Sequence, residues 1–229
     1  MQKKGKKMKK MMLLALAAVS ALLALPAFAS AAPVHVQTHA GGNPGAFTVA
    51  GGKSELVRKS GGATKGETVS GSGTFENTTT GTVKLTFGKV SSETLGNCAS
   101  TAEGHSSASG PGTVTTTTLP FHLITTPTGN PAILITSAAG GHFASFTCSG
   151  IGVTVNGNGI IGTITAPACG GSSATATLSF TQTAGVQNHK TYTGVTYNLT
   201  STILGSASES GMNASATITF GGTRTLICT

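Results

Sequence analysis

The sequence predicts an all-β chain: a two-sheet antiparallel β-sandwich with Greek-key or jelly-roll-like connections, behind an N-terminal signal peptide. Three observations carry that expectation. Thr occurs 39 times and Gly 33 times in 229 residues, and β-branched residues punctuated by glycine favour many short strands. Apolar and polar residues alternate through several segments, the period-two pattern of a half-buried strand. Glycine and proline interrupt those segments at short intervals, where strands have to end. Charged residues make up only 9% of the chain, but the regular alternation argues against disorder.

The first element is the leader, residues 1–29. Lys3, Lys4, Lys6, Lys7, Lys9 and Lys10 precede an apolar run from Met11 to Leu25, followed by Pro26 and the small-residue exit Ala27-Phe28-Ala29. A basic head, a short apolar core and an A-x-A exit form a secretory signal peptide. Cleavage is expected after Ala29, with Ala31 as the alternative. The apolar run is shorter than the roughly 20 residues of a membrane span, so the mature chain is expected to carry none. The leader holds six of the 14 basic residues, leaving eight against six glutamates in the mature part. The mature basic cluster, Lys53, Arg58, Lys59 and Lys65, is broken by Glu55 and Glu67, which argues against a nucleic-acid surface.

Residues 30–72 read as a Gly/Ala-rich, partly flexible segment with weak strand signals at Val34–Thr38, Phe47–Ala50 and Ser54–Arg58. Residues 73–229 read as the sandwich proper. Val83, Leu85 and Phe87 alternate with Thr82, Lys84 and Thr86. Residues 91–112, with Cys98, read as a long loop. Strands are expected at Thr113–Leu119, Phe121–Thr125, Ala132–Thr136 and His142–Cys148, parted by Pro120, Pro127 and Gly140-Gly141. The segment Ile151–Thr165 reads as a hairpin, because Asn156-Gly157 supplies the positive φ angles of a tight turn. Ala174–Thr181, Thr191–Ile203, Ala214–Phe220 and Thr223–Cys228 complete the set. A short pattern recurs at Thr82–Phe87, Thr175–Phe180 and Ser215–Phe220 without a fixed period, so it reads as a Phe-anchored strand used three times, not a solenoid.

Four cysteines, an even number in an exported chain, point to disulfides and not to metal or catalysis. The expected hairpin would join Cys148 to Cys169, leaving Cys98 to pair with Cys228. No C-x-x-C occurs, which excludes a zinc ribbon or thioredoxin-like site.

Chemistry-bearing constellations are sparse, and no cofactor, metal or catalytic residue is assigned. His35 and His39 stand at i,i+4, a metal spacing on a helix but roughly 13 Å apart on a strand. His122 and His142 fall in separate strands that would have to meet across a sheet. The chain has no Asp and no G-x-S-x-G elbow. Glu76 and Glu93 are one conceivable pair for glycoside hydrolysis. For a carbohydrate-binding module, the aromatic candidates are Tyr192 and Tyr197, since Trp is absent. On one continuous strand their parity would place them on opposite faces. T-x-T steps at residues 115–117, 163–165, 175–177 and 191–193 raise ice binding, but in the sequence they are scattered.

The leader, the stretch Phe146-Thr-Cys-Ser-Gly150 and the stretch Ile164-Thr-Ala-Pro-Ala-Cys169 resemble uncharacterised secreted β-rich proteins of high-GC Gram-positive bacteria. The resemblance implies export and a β fold and carries over no activity. The sequence thus leads to a secreted or cell-surface, non-enzymatic structural or adhesive protein, with a carbohydrate-binding module as the alternative and a secreted hydrolase third. Its expected partners are cell-wall or extracellular glycan, or further copies of the chain through sheet edges.

Overall fold

The computed structural model describes residues 34–38, 40–100, 111–138 and 141–228. Among them there is no helix; the elements are strands. In order these are β1 (Val34–Thr38), β2 (Ala46–Arg58), β3 (Ala63–Gly66), β4 (Thr68–Phe75), β5 (Thr80–Ser92), β6 (Gly96–Ser100), β7 (Gly112–Thr115), β8 (Leu119–Thr125), β9 (Pro131–Ile135) and β10 (His142–Cys148). Then follow β11 (Ile151–Gly157), β12 (Ile160–Ala166), β13 (Ser172–Phe180), β14 (Gln182–Thr183), β15 (Val186–Gln187), β16 (Thr191–Tyr192), β17 (Val195–Thr196), β18 (Leu199–Ile203) and β19 (Ser206–Cys228).

The all-β expectation holds, and every pairing is antiparallel, but the strands do not divide into two hydrogen-bonded sheets. Fifteen of them form one sheet, and the β14–β15 and β16–β17 hairpins stand apart. Followed strand to strand, the large sheet returns on itself twice. One circuit runs β2–β4–β5–β8–β9–β12–β13–β19 and back to β2. The other runs β2–β3–β5–β6–β10–β11–β18–β19 and back to β2. Each has eight members, and β2, β5 and β19 belong to both. These shared strands are long, at 13, 13 and 23 residues, because each runs from one circuit into the next. Irregularities mark the passage: the β2–β19 register shifts between Ala214 and Ala216, and the β5–β7 register shifts between Phe87 and Val90. An extra residue in one strand bends it and increases its twist.

The first circuit is filled by phenylalanines. Phe47, Phe75 and Phe121 meet edge to face at centroid distances of 5.0–5.8 Å, and Phe220 joins Phe47 at 6.5 Å. Room for these rings comes from glycines directly across the ladder. Phe47 pairs with Gly73, and Phe121 and Phe75 both pair with Gly81. A Cβ on Gly73 would lie 2.2 Å from Phe47 Cζ, and one on Gly81 would lie 2.7 Å from Phe121 Cζ. Phe180 is the buried end of β13 as anticipated, Phe220 is buried but lies within β19, and Phe87 is only partly buried.

Several local expectations are corrected. Residues 34–72 are not an appendage: β1 and β2 pair with β19, and β4 lies between β2 and β5. Part of the anticipated loop over 91–112 is β6, where Cys98 sits directly opposite Cys148. Pro120 lies within β8, aligned with Thr82. The Asn156-Gly157 signal does not build a hairpin. β11 pairs with β10 and β18, while β12 pairs with β9 and β13, so the turn hands the chain from one circuit to the other. The disulfides change with it, since the Cys148–Cys169 bridge depended on that hairpin. The bonds are Cys98–Cys148 and Cys169–Cys228. The tight hairpin turns fall at Ser149-Gly150, Ala184-Gly185, Thr193-Gly194 and Leu204-Gly205, each with two successive positive φ angles.

Two outcomes are expected. Gly73→Ala should destabilise the fold by about 1–3 kcal/mol in urea unfolding, through overpacking against Phe47; a neutral effect would contradict the ring-over-glycine packing. Replacing Cys169 and Cys228 by Ser should cost about 4 kcal/mol on the chain-entropy model, given a separation of 59 residues. Non-reducing peptide mapping checks the pairing itself.

Candidate functional site

Strand alternation puts Phe47, Val49, Val69, Val83, Leu178, Ile218 and Phe220 inside. The same alternation turns Thr48, Ser70, Ser72, Thr74, Thr175, Thr217 and Thr219 outward, where they are exposed. Register then arranges the outward residues in rows. One row reads Thr175, Thr219, Thr48, Ser72, Lys84 across β13, β19, β2, β4 and β5. The next reads Thr177, Thr217, Ala50, Ser70, Thr86, and Thr115 of β7 extends it, its hydroxyl 3.4 Å from that of Thr86. Two of the T-x-T steps that are scattered in the sequence, at residues 115–117 and 175–177, therefore feed one hydroxyl-bearing face. Strand spacing sets the repeat at about 4.8 Å along a row. The face is the wall of a closed circuit, so it carries the twist and curvature of one; that removes the flat lattice an ice-binding array needs.

Within this face lies a shallow groove of about 560 Å³, lined by Thr48, Ser72, Thr74, Thr82, Thr118 and Thr219 and by the residues between them. Lys84 is the one charged side chain in its lining. Hydroxyls both donate and accept, and a lysine ammonium supplies up to three donors. The arrangement can therefore bind a ligand rich in hydroxyl or acidic oxygen, and it offers no nucleophile–base pair.

Tyr192 and Tyr197 are elsewhere, and their placement is a correction. They do not share a strand. Thr193-Gly194 reverses the chain between β16 and β17, and the Tyr197 amide donates to the Lys190 carbonyl at 2.6 Å. Reversal cancels the parity argument, and both rings pack half-buried against one small cluster of Ile124, Ala132, Leu134 and Ile161. Neither lines the groove. The groove's own residues had a visible signal in the sequence, their parity along each strand; which strand lies beside which did not.

The remaining candidates stay apart. His122 on β8 aligns with Thr80 and Leu134, whereas His142 on β10 aligns with Asn156. His35 stands opposite Ile227, and His39 lies outside the described residues. Among the described residues, no group of three His, Cys or Glu is arranged to hold a metal ion. Glu76 and Glu93 flank the two ends of the 13-residue β5, roughly 40 Å apart along an extended strand. That is far beyond the spacing of a glycosidase pair.

Among the described residues, the ion pairs gather mainly on the second circuit. Lys65 pairs with Glu93 and Glu55, Lys89 with Glu67, and Lys59 and Lys190 with Glu209. Arg58 donates to the Ser206 carbonyl at 3.0 Å. No protein-family model matches the chain, and no curated protein or solved structure matches it significantly.

The ion pairs generate a pH prediction. A hydrogen bond from Lys65, reinforced by its charge, holds Glu93 below the ordinary 4.5. Lys89 does the same for Glu67. Carboxylates depressed in the folded state favour folding above their ordinary range, and that contribution is lost as pH falls through the folded values. A carboxyl NMR titration should give midpoints below 4.5 for both residues. Lys65→Met should raise the Glu93 midpoint and leave that of Glu67 in place, and Lys89→Met should do the reverse. A wild-type midpoint at or above the ordinary value would contradict the pairing.

Proposed function

We propose that this chain is an exported, non-enzymatic structural or adhesive protein that works at the cell surface or in the surrounding medium through the hydroxyl-bearing outer face of its first circuit. The observation that carries this reading is the row Thr175–Thr219–Thr48–Ser72–Lys84, an exposed line of polar side chains crossing five adjacent strands. Repeated hydroxyls favour many individually weak contacts with a polymer, the mode by which a surface protein adheres. The leader with its Ala27-Phe28-Ala29 exit supports export, as do two disulfides with no free cysteine. No helix among the described residues is long and apolar enough to cross a membrane.

Contact through faces is favoured over contact through edges. Closure of both circuits gives their strands a partner on each side, leaving β1, β7 and the two small hairpins as the edges among the described residues. The groove at Lys84 favours a second reading, a module binding one defined glycan. Its ligand would lie across the strands with polar edges on Thr48, Ser72 and Thr219, without the aromatic platform that sugar sites usually use.

The test is a cell-wall pull-down and a glycan array with protein beginning at Ser30. The adhesive reading expects retention on wall polysaccharide across several compositions. Saturable binding to a single glycan selects the second reading. In either case the triple variant Thr48→Val, Ser72→Ala, Lys84→Ala should weaken binding about tenfold or more. Absence of binding to every polymer, or equal binding by the variant, would overturn both.

A further inference from the structure

The two circuits have the same number of strands but unequal interiors. An eight-stranded closed wall is just wide enough to be filled by side chains or to hold one small ligand. In the first circuit, Phe47, Phe75, Phe121 and Phe220 leave voids of only about 30 Å³. The second circuit encloses a cavity of about 90 Å³. Its walls are apolar, with Leu85, Val114, Phe143, Phe146, Val155 and Leu199 all buried around it. Thr116 and Ser54 are the buried polar residues in its lining, and Thr116 Oγ1 accepts from the Leu85 amide at 3.0 Å. A water needs two to four polar partners to settle in such a space, so the cavity favours an apolar occupant.

One end of the cavity is reachable. Leu56, Phe87 and Met212, which line it, are only partly buried, and Leu56 and Met212 face each other across the β2–β19 ladder. Beside them the buried Ser54 and the more exposed Thr64 and Lys65 form a polar rim. Methionine adapts readily to a guest. Lys65 is already paired with Glu93 and Glu55, two carboxylates against one ammonium, so the rim offers hydroxyls and no free cation for a carboxylate head.

We propose that the second circuit is a binding site for the unbranched hydrocarbon tail of a single-chain amphiphile with a neutral, hydroxyl-type head. The tail enters past Met212 and Leu56, and the head stays at the Ser54–Thr64 rim. Size selects the shape: the cavity is smaller than the roughly 150 Å³ apolar space that accommodates benzene, so a slender chain fits where a ring does not. The site faces inward, on different side chains from the outer groove, and stands or falls independently of it.

The experiment follows the methyl NMR signals of Met212, Leu56 and Val114 while titrating n-alkanols from butanol to octanol, with cyclohexanol as the ring-shaped control. Saturable shifts at these three residues are expected. Affinity should rise about fourfold per methylene until the cavity is full and then level off, and cyclohexanol should bind at least about tenfold more weakly than hexanol. Ala144→Leu, which fills the cavity from its wall, should abolish the shifts while keeping the dispersed spectrum of the folded chain. Met212→Ala, which enlarges it, should admit cyclohexanol and serves if the first variant does not fold. The proposal is overturned if no alcohol gives saturable shifts at these methyls. It is also overturned if cyclohexanol matches hexanol in the unmodified chain, or if a folded Ala144→Leu binds as well as the parent.

Discussion

Phenylalanine against glycine is the contact on which the rest of this architecture depends. Phe47 faces Gly73 across one ladder, and Gly81 lies between Phe75 and Phe121 on its two sides. A ring occupies the volume that a facing side chain would otherwise need, so the wall can curve inward without a void or a clash. Gly162 serves Phe180 in the same way, since a Cβ there would lie 2.6 Å from the ring. Burial of these rings supplies much of the apolar driving force of a chain that has no tryptophan. Alternation of Thr and Ser on the outside of those same strands then follows from geometry, because every residue between two inward anchors must face out.

Sharing of strands extends this local rule to the whole molecule. β2, β5 and β19 each give one portion to the phenylalanine-filled circuit and another to the ion-paired one. The two portions differ in chemistry. Thr48, Thr82 and Thr219 belong to the hydroxyl face, whereas Glu55, Arg58 and Glu209 belong to the charged end. A single strand thereby presents two surfaces, and the register shifts near Ala214–Ala216 and Phe87–Val90 fall where the change occurs.

What could be read from the sequence was which face each residue takes, not which strand lies beside it. The expected ranges Val34–Thr38 and His142–Cys148 coincide with β1 and β10, because period-two alternation is a local property. The hairpin at Asn156-Gly157 failed because turn propensity is also local, and non-local pairing overrode it. Of the four tight turns, three lie in gaps between expected strands, and the one at Thr193-Gly194 falls inside one. Ser149, Ala184, Thr193 and Leu204 adopt positive φ without being Asn or Asp, and only the glycine after each one hinted at a turn. The parity of Tyr192 and Tyr197 inherited the missed reversal at Thr193-Gly194, and both disulfide assignments inherited the hairpin that Asn156-Gly157 does not form. The hydroxyl rows were half legible: strand parity placed Thr48 and Thr219 outward, but only the β2–β19 register made them neighbours.

The position of β19 at the end of the strand order has a consequence for how the chain is made. Every other strand precedes it, and both circuits close only when residues 210–220 lie against β2, more than 150 positions earlier in the chain. Nothing shorter can complete either circuit, so a nascent chain emerging from N- to C-terminus has no closed intermediate to stall in. Such distant pairing makes folding slow once the chain is whole. The wall of each circuit therefore stays open, with its apolar inner face reachable by solvent, for as long as the pairing of residues 210–220 with β2 is delayed.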